Sequence, residues 1–329
     1  MTRVAALPAL QAASYSRHAL HAEDRVWVEK NCYIDLWIEV IHALGCDPMA
    51  IMPFVVAVDF EGDQWTFFKP PLGEIRSLYG IETQELNVWR PLHLHVDEFV
   101  RRRRLVLAEV DAYWLPDTSG TDYRTQHTKT TIAIRSIDLR TERLGYFHNA
   151  GYFELEGGDF RGLFGLDAAP DPTRLPLYVE FLRLESLRLR PRDELLPLAL
   201  ECTRAHLRRR PRENPLARFA ASFPAAIAAF APEALQTYHL YAFSTVRQAG
   251  SAADLGAHHL RWLQAAVPGA PLEEAAAALD QVSLSAKSLI LKGARAVSTG
   301  KRTDFAPLLS TMVTAWGTAM AALSSGFGV

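Results

Sequence analysis

Between residues 32 and 44, apolar side chains return at Leu36, Trp37, Val40, Ile41 and Leu44, the three-then-four spacing of one helix face. Gly45 follows as a residue that tolerates a left-handed stop, and Pro48 bars continuation. Asn31 stands where an N-cap side chain accepts from orphan backbone N–H groups, so Cys32 is expected in the first helical turn.

A different rhythm follows. FVVAVDF (54–60) and QWTFF (64–68) read as short strands, and LGEIRSLYGI (72–81) as a helix able to cap a groove. Alternation in RLVLAEVDAYWLP (104–116), HTKTTIAIRSID (127–138) and RLGYFHNAGYFEL (143–155) predicts consecutive strands of an antiparallel sheet. In PLHLHVDEF the same alternation would put His93, His95 and Asp97 on one strand face. Beyond residue 190 β-branched runs vanish and helical periodicity governs 215–230, 233–248, 252–267, 272–298 and 305–324. The Pro- and Arg-rich stretch 187–215 marks the change. The expected organisation is an α+β domain over 1–190 and an all-helical domain over 191–329, with no internal repeat.

Composition narrows the function classes. A chain of 329 residues with 49% apolar and 22% charged residues can bury a core without staples or metals. A net charge of -2 gives no global basic field for nucleic acid. Three cysteines, Cys32, Cys46 and Cys202, suit a reducing compartment, with cytoplasm the default. Pro8 interrupts the N-terminal apolar run, so no signal peptide is read, and no uninterrupted apolar stretch approaches the roughly 20 residues of a membrane span. The expected protein is soluble, with neither membrane nor nucleic acid as partner.

Against that background one constellation could carry chemistry. A cysteine in a first helical turn is placed where the dipole and free N–H groups favour thiolate, and the same groups could hold an oxyanion. His127 opens a strand after a polar loop and could serve as base; Asn149, at the turn in YFHNAGYFEL, could orient it. The order Cys, His, Asn is the papain-like one. The bland alternative makes Cys32 a small buried hydrophobe and His127 a polar strand-start residue. Cys46 and Cys202 read as packing residues.

Other features have competing readings. His93, His95 and Asp97 are an incomplete metal set, so no metal is expected, and adjacent His258 and His259 would point about 100° apart on a helix. Arg101 to Arg104 and Arg208 to Arg210 are solvated faces, or surfaces that dock an acidic carrier-protein helix or the phosphate of its phosphopantetheine arm. Asp111, Asp117 and Asp122 surround the loop before His127 and either bind a substrate amine or simply form turns.

The strings NCYIDLWIEVIHALG, AVDFEGDQWTFFKP, ELNVWRPL, EVDAYWLPDTSGTDYRTQHTKTTIAI, YFHNAGYFEL, YAFSTVRQAG and HHLRWL together resemble the bacterial family called domain of unknown function 1839. More distantly, the N-terminal half is similar to the papain-like N-terminal domain of the butirosin-biosynthesis acyltransferase. There a cysteine takes an acyl group from a carrier-protein thioester and passes it to an amine. Cys32, the strand Val110 to Pro116, His127 and the polar residue at Asn149 match that pattern.

The resemblance implies a papain-like domain and an acyl or aminoacyl transferase working through a Cys32 acyl-enzyme to an amine or thiol acceptor. It implies no cofactor bound by the protein itself, only phosphopantetheine carried by an acyl or peptidyl carrier partner. Hydrolysis by the same residues, or non-catalytic binding of an acylated carrier, are the alternatives. Two departures stand out. Val26 and Trp27 occupy the region where papain-type enzymes place an oxyanion Gln, leaving the Cys32 N–H and the Asn31 amide as donors. His148 and Asn149 stand where the pattern often has Asp, so the orienting residue is Asn149 or else His148.

Overall fold

The longest strand runs over ten residues, Lys129–Asp138, and its run of Thr, Ile, Ala and Ser is buried on both faces. A computed structural model, describing residues 4–7, 10–169, 177–231 and 234–329, places it within the following order of elements. These are β1 (Val4–Ala5), α1 (Cys32–Ala43), β2 (Phe60–Glu61), β3 (Gln64–Trp65), α2 (Leu72–Tyr79), β4 (Glu82–Glu85), α3 (Leu92–Arg101), β5 (Leu105–Asp111), β6 (Lys129–Asp138), β7 (Arg143–His148), β8 (Gly151–Glu156), α4 (Gly158–Phe164) and β9 (Val179–Arg183). Six helices follow: α5 (Arg192–Arg209), α6 (Pro215–Ala228), α7 (Leu235–Ser244), α8 (Val246–Leu263), α9 (Leu272–Thr299) and α10 (Ala306–Phe327). The fold mixes helices with antiparallel sheet, the α+β class.

The chain divides into two compact units. One comprises Met1–Glu23, Asn31–Pro48 and Ile75–Leu189; the other comprises Asp24–Lys30, Met49–Glu74 and Arg190–Val329. The division at residue 190 read from composition therefore differs in two segments, 24–30 and 49–74, which lie with the helices. The apolar run through 56 has no alternation to give it one exposed face. It winds into a short 3-10 turn, Pro53–Ala57, rather than the expected strand, with Pro53 at its start and Phe54, Val55 and Val56 all buried.

In the first unit the sheet order is β4-β9-β5-β6-β7-β8, every pairing antiparallel, with β1 added beside β6. The register Ala108↔Ile132 and Ile134↔Tyr146 puts one set of alternating side chains into a common core. Val106, Ala108, Ile132, Ile134, Leu144 and Tyr146 pack there with Val96 and Val100 of α3 and Phe160 and Leu163 of α4. α1 packs on β6, β7 and β8. Every residue of α1 from Tyr33 to Ile41 is buried, so its sequence needs no polar face.

Three helices, α3, α4 and α5, were not legible. Residues 92–101 form α3 rather than a strand, because the buried positions His95, Val96 and Val100 follow helical spacing. Residues 192–209, within the Pro- and Arg-rich stretch, form α5. Asp193 and Glu194 in its first turn and His206, Arg208 and Arg209 in its last complement the helix dipole, although Pro197 removes one internal bond.

In the helical unit α8 packs closely on α9, and α10 on α9. A Cβ at Gly250 would lie 2.6 Å from the Ala286 methyl and 2.7 Å from the Trp27 ring, so glycine is what permits the approach. α10 is long and apolar enough, by length and composition, to cross a membrane, contrary to the expectation that no stretch approaches that length. Its Leu309, Met312, Trp316, Ala319 and Leu323 are buried within this unit.

Candidate active site

The site is built from the start of α1 and the neighbouring ends of β6 and β7. Asn31, with extended backbone, turns its side-chain oxygen back to accept from the N–H of Tyr33 at 3.1 Å and of Ile34 at 3.0 Å. That cap fixes Cys32 as the first helical residue, as the spacing predicted. Its thiol is partly buried against β6, on the side where Thr130 and Thr131 lie. Burial pushes the thiol above its ordinary value, Asp35 one turn along adds to this, and the neighbouring threonines only partly offset it. The expected lowering by the helix start is thus reversed: desolvation outweighs the dipole, and the resting group is a neutral thiol.

Thr130 also faces an imidazole. Its hydroxyl lies 2.8 Å from His148 Nε2, and on the far side of the ring His148 Nδ1 lies 2.5 Å from Asp117 Oδ2. The other oxygen of Asp117 accepts from the Tyr146 hydroxyl at 2.5 Å. The His148 and Asp117 side chains are only 1% and 4% exposed, so water does not compete for these bonds. Nδ1 meets the Asp117 carboxylate and Nε2 the Thr130 hydroxyl, and the direction of the second bond follows the tautomer of the ring.

Local sequence explains each placement. Leu144, Tyr146 and His148 alternate along β7, and His148 is its last residue before the turn to Gly151. Asn149 occupies that turn with φ 43°, a left-handed conformation that Asn tolerates better than most side chains. Asp117 sits in the 3-10 turn Pro116–Thr118, anchored by the Thr118 hydroxyl donating to the carbonyls of Ala112 at 3.1 Å and Leu115 at 2.9 Å.

The anticipated base lies elsewhere. The His127 side chain is 71% exposed, 2.5 Å from Asp111 through Nδ1, and its ring stacks on Tyr113 at 4.5 Å. Among the described residues these, and not Cys32, are its polar and ring partners. Asp111 is further occupied in accepting from the Tyr113 N–H. Of the residues proposed from sequence, Cys32 and Asn31 share the helix start, while His127, Asp111 and Asn149 do not join them. Asp117 holds an imidazole instead of facing solvent for an amine.

Sequence reading missed Thr130, Tyr146 and the pairing of Asp117 with His148. The available signal was His148 at the end of the Leu144, Tyr146 alternation, a polar residue in a buried register.

Other candidates resolve as structural. On a helix, His93 and His95 point away from each other; His93 meets the edge of Phe164, His95 accepts from the Trp89 N–H at 3.4 Å, and Asp97 pairs with Arg101 at 2.9 Å. Glu98 takes Arg102, and Glu185 takes Arg104 at 3.3 Å, so three of the four charges in the first arginine run are matched. A buried polar cluster braces α1: the two ring nitrogens of His21 meet Glu39 and, at 3.0 Å, Asp35, while Glu39 also accepts from the Tyr15 hydroxyl at 2.5 Å and the His18 N–H at 3.0 Å.

No curated protein matches the chain. Two family profiles do: the DUF1839 N-terminal domain over residues 16–184 and the DUF1839 C-terminal domain over residues 192–325. The chain belongs to the DUF1839 family.

Proposed function

We propose that this protein is a cysteine-dependent acyltransferase with a papain-like arrangement in its first unit. In this reading Cys32 attacks a thioester presented on the phosphopantetheine arm of an acyl or peptidyl carrier protein, and an amine or thiol acceptor then takes the acyl group. The carrying observation is a buried pair of bonds beside the first turn of α1, Thr130 at His148 and His148 at Asp117, on the strand segment that Cys32 faces. A helix start packed on an antiparallel sheet, with the imidazole at a strand end, supports the papain-like comparison.

Roles follow from the geometry. His148 is the general base and Asp117 holds its tautomer. Asn31 occupies the N–H groups of Tyr33 and Ile34, so the Cys32 N–H is the first-turn donor left for the oxyanion. Because the resting thiol is neutral, proton removal accompanies attack instead of preceding it as a stored ion pair. Cytoplasm, which keeps thiols reduced, is the compartment this chemistry needs.

The test mixes the full chain with acyl-N-acetylcysteamine thioesters, with and without an added amine, and follows thiol release. Release that requires Cys32 and accelerates with amine supports transfer. Equal release without amine supports hydrolysis, and release unchanged by Cys32→Ala contradicts the reading.

A further inference from the structure

The two arginine runs differ in how their charges are met. Those of the first are largely matched. In the second, Arg208 to Arg210, Arg209 alone has a carboxylate partner among the described residues, Glu74 at 3.8 Å. Arg210 follows the end of α5 and opens on a cavity of about 270 Å³ within the helical unit. We propose that this cavity binds a small phosphate monoester, its anion on Arg210 and Arg212 and its organic part on Trp316 and Met320. The inference is independent of the Cys32 reading.

The hydrogen bonds of Arg210 go to neutral acceptors, the Leu207 carbonyl at 2.6 Å and Ser324 Oγ at 2.7 Å. They use two of the five guanidinium N–H groups, which leaves three donors and a charge with no counter-ion among the described residues. Ser324 accepts there, so its own proton remains to be given to an anion. Arg212 is exposed, lines the same cavity, and has no ion-pair partner among the described residues. Capping of α5 explains the bond to Leu207, but not two uncompensated guanidiniums around one cavity.

The chemistry of the ligand follows. A phosphate monoester carries close to two negative charges near neutrality, and the forked donors of two arginines suit its oxygens. Glu213 also lines the cavity, exposed and paired with neither arginine, so two cations stand against one carboxylate. Trp316, 4% exposed, and Met320 give the lining an apolar part. The volume lies just under the roughly 300–1,000 Å³ of small-molecule sites, which suits a compact ester better than a nucleotide.

Titration calorimetry of the full chain uses phenyl phosphate as the probe, compared with methyl phenyl phosphate, a singly charged diester, and with neutral benzyl alcohol. Phenyl phosphate is expected to bind saturably, the diester several-fold more weakly, and the alcohol not measurably. Arg210→Gln and Arg212→Gln are each expected to lose about tenfold in affinity, and Glu213→Gln to gain a few-fold. Circular dichroism checks folding; because Arg210 also caps α5, the exposed Arg212 and Glu213 variants decide the matter if Arg210→Gln does not fold. Absence of saturable phenyl phosphate binding, or binding that Arg212→Gln and Glu213→Gln both leave unchanged, overturns the site. Equal binding of the diester overturns the monoester assignment, and equal binding of the alcohol overturns recognition of an anion.

Discussion

His148 and Asp117 are 31 positions apart in sequence and meet in the interior, Nδ1 to Oδ2 at 2.5 Å. A histidine this buried, fixed through one nitrogen and turned by the other toward a hydroxyl beside a cysteine, is better placed to act on Cys32 than the exposed His127. Substituting each separates the assignments. His148→Gln is expected to reduce Cys32 acylation by 10²-fold or more, whereas His127→Ala changes it only a few-fold. Single-turnover acylation rates of the two variants check this, and the reverse ranking would restore His127 as base.

Burial raises the Cys32 thiol, and the same cause raises Cys46 to about 11 and Cys202 to about 12. Iodoacetamide reacts with thiolate, so its rate at each position should remain low near neutrality and climb only above the ordinary thiol range. The neutral forms favoured by folding also mean that stability is present at lower pH and lost as pH rises through these values. Peptide-resolved alkylation against pH is the measurement. Rapid labelling of Cys32 at pH 6 would show a preformed thiolate and contradict the neutral resting state.

The bracing of α1 has its own test. His21, Asp35 and Glu39 have fully buried side chains, and each His21 ring nitrogen faces one of the carboxylates. Replacing His21 with Ala removes a buried partner from both carboxylates and should cost about 3–5 kcal/mol. Chemical denaturation midpoints report the loss. A variant as stable as wild type would mean that the cluster is only loosely held.

In the helical unit His259 is fully buried between the Met49 carbonyl at 2.9 Å and the Thr203 hydroxyl at 3.0 Å, and burial lowers it to about 4. The neutral ring is the folded form. Its contribution is complete above the ordinary imidazole value and is lost as pH falls through about 4, a change worth roughly 3 kcal/mol from the shift. Denaturation at pH 7 and pH 4 should show this slope in wild type and a shallower one in His259→Gln.

What the sequence revealed depended on whether the cause was local. The capped helix at Cys32 was legible because Asn31, the apolar spacing and Gly45 all act within one segment. The strands 105–111 and 129–138 were legible because apolar and β-branched residues run through each. The helix 92–101 was not, since His93, His95 and Asp97 imitate strand alternation while Val96 and Val100 carry the true period.

The site was half legible for the same reason. Cys32 follows from local grammar. The pairing of Asp117 with His148 depends on a loop folding back across the end of β7, and PDTSGTD reads as an ordinary turn until that contact exists. Asn149, taken for an orienting side chain, is explained by backbone instead, because the turn needs a positive φ.

The central claim is a covalent acyl group on Cys32. Intact-protein mass spectrometry after brief exposure to an acyl-N-acetylcysteamine thioester tests it most directly. The account predicts a single acyl increment on wild type, mapped to the Cys32 peptide, absent from Cys32→Ala and strongly reduced in His148→Gln. No increment on wild type across a panel of acyl groups, or an increment that persists in Cys32→Ala, would contradict it.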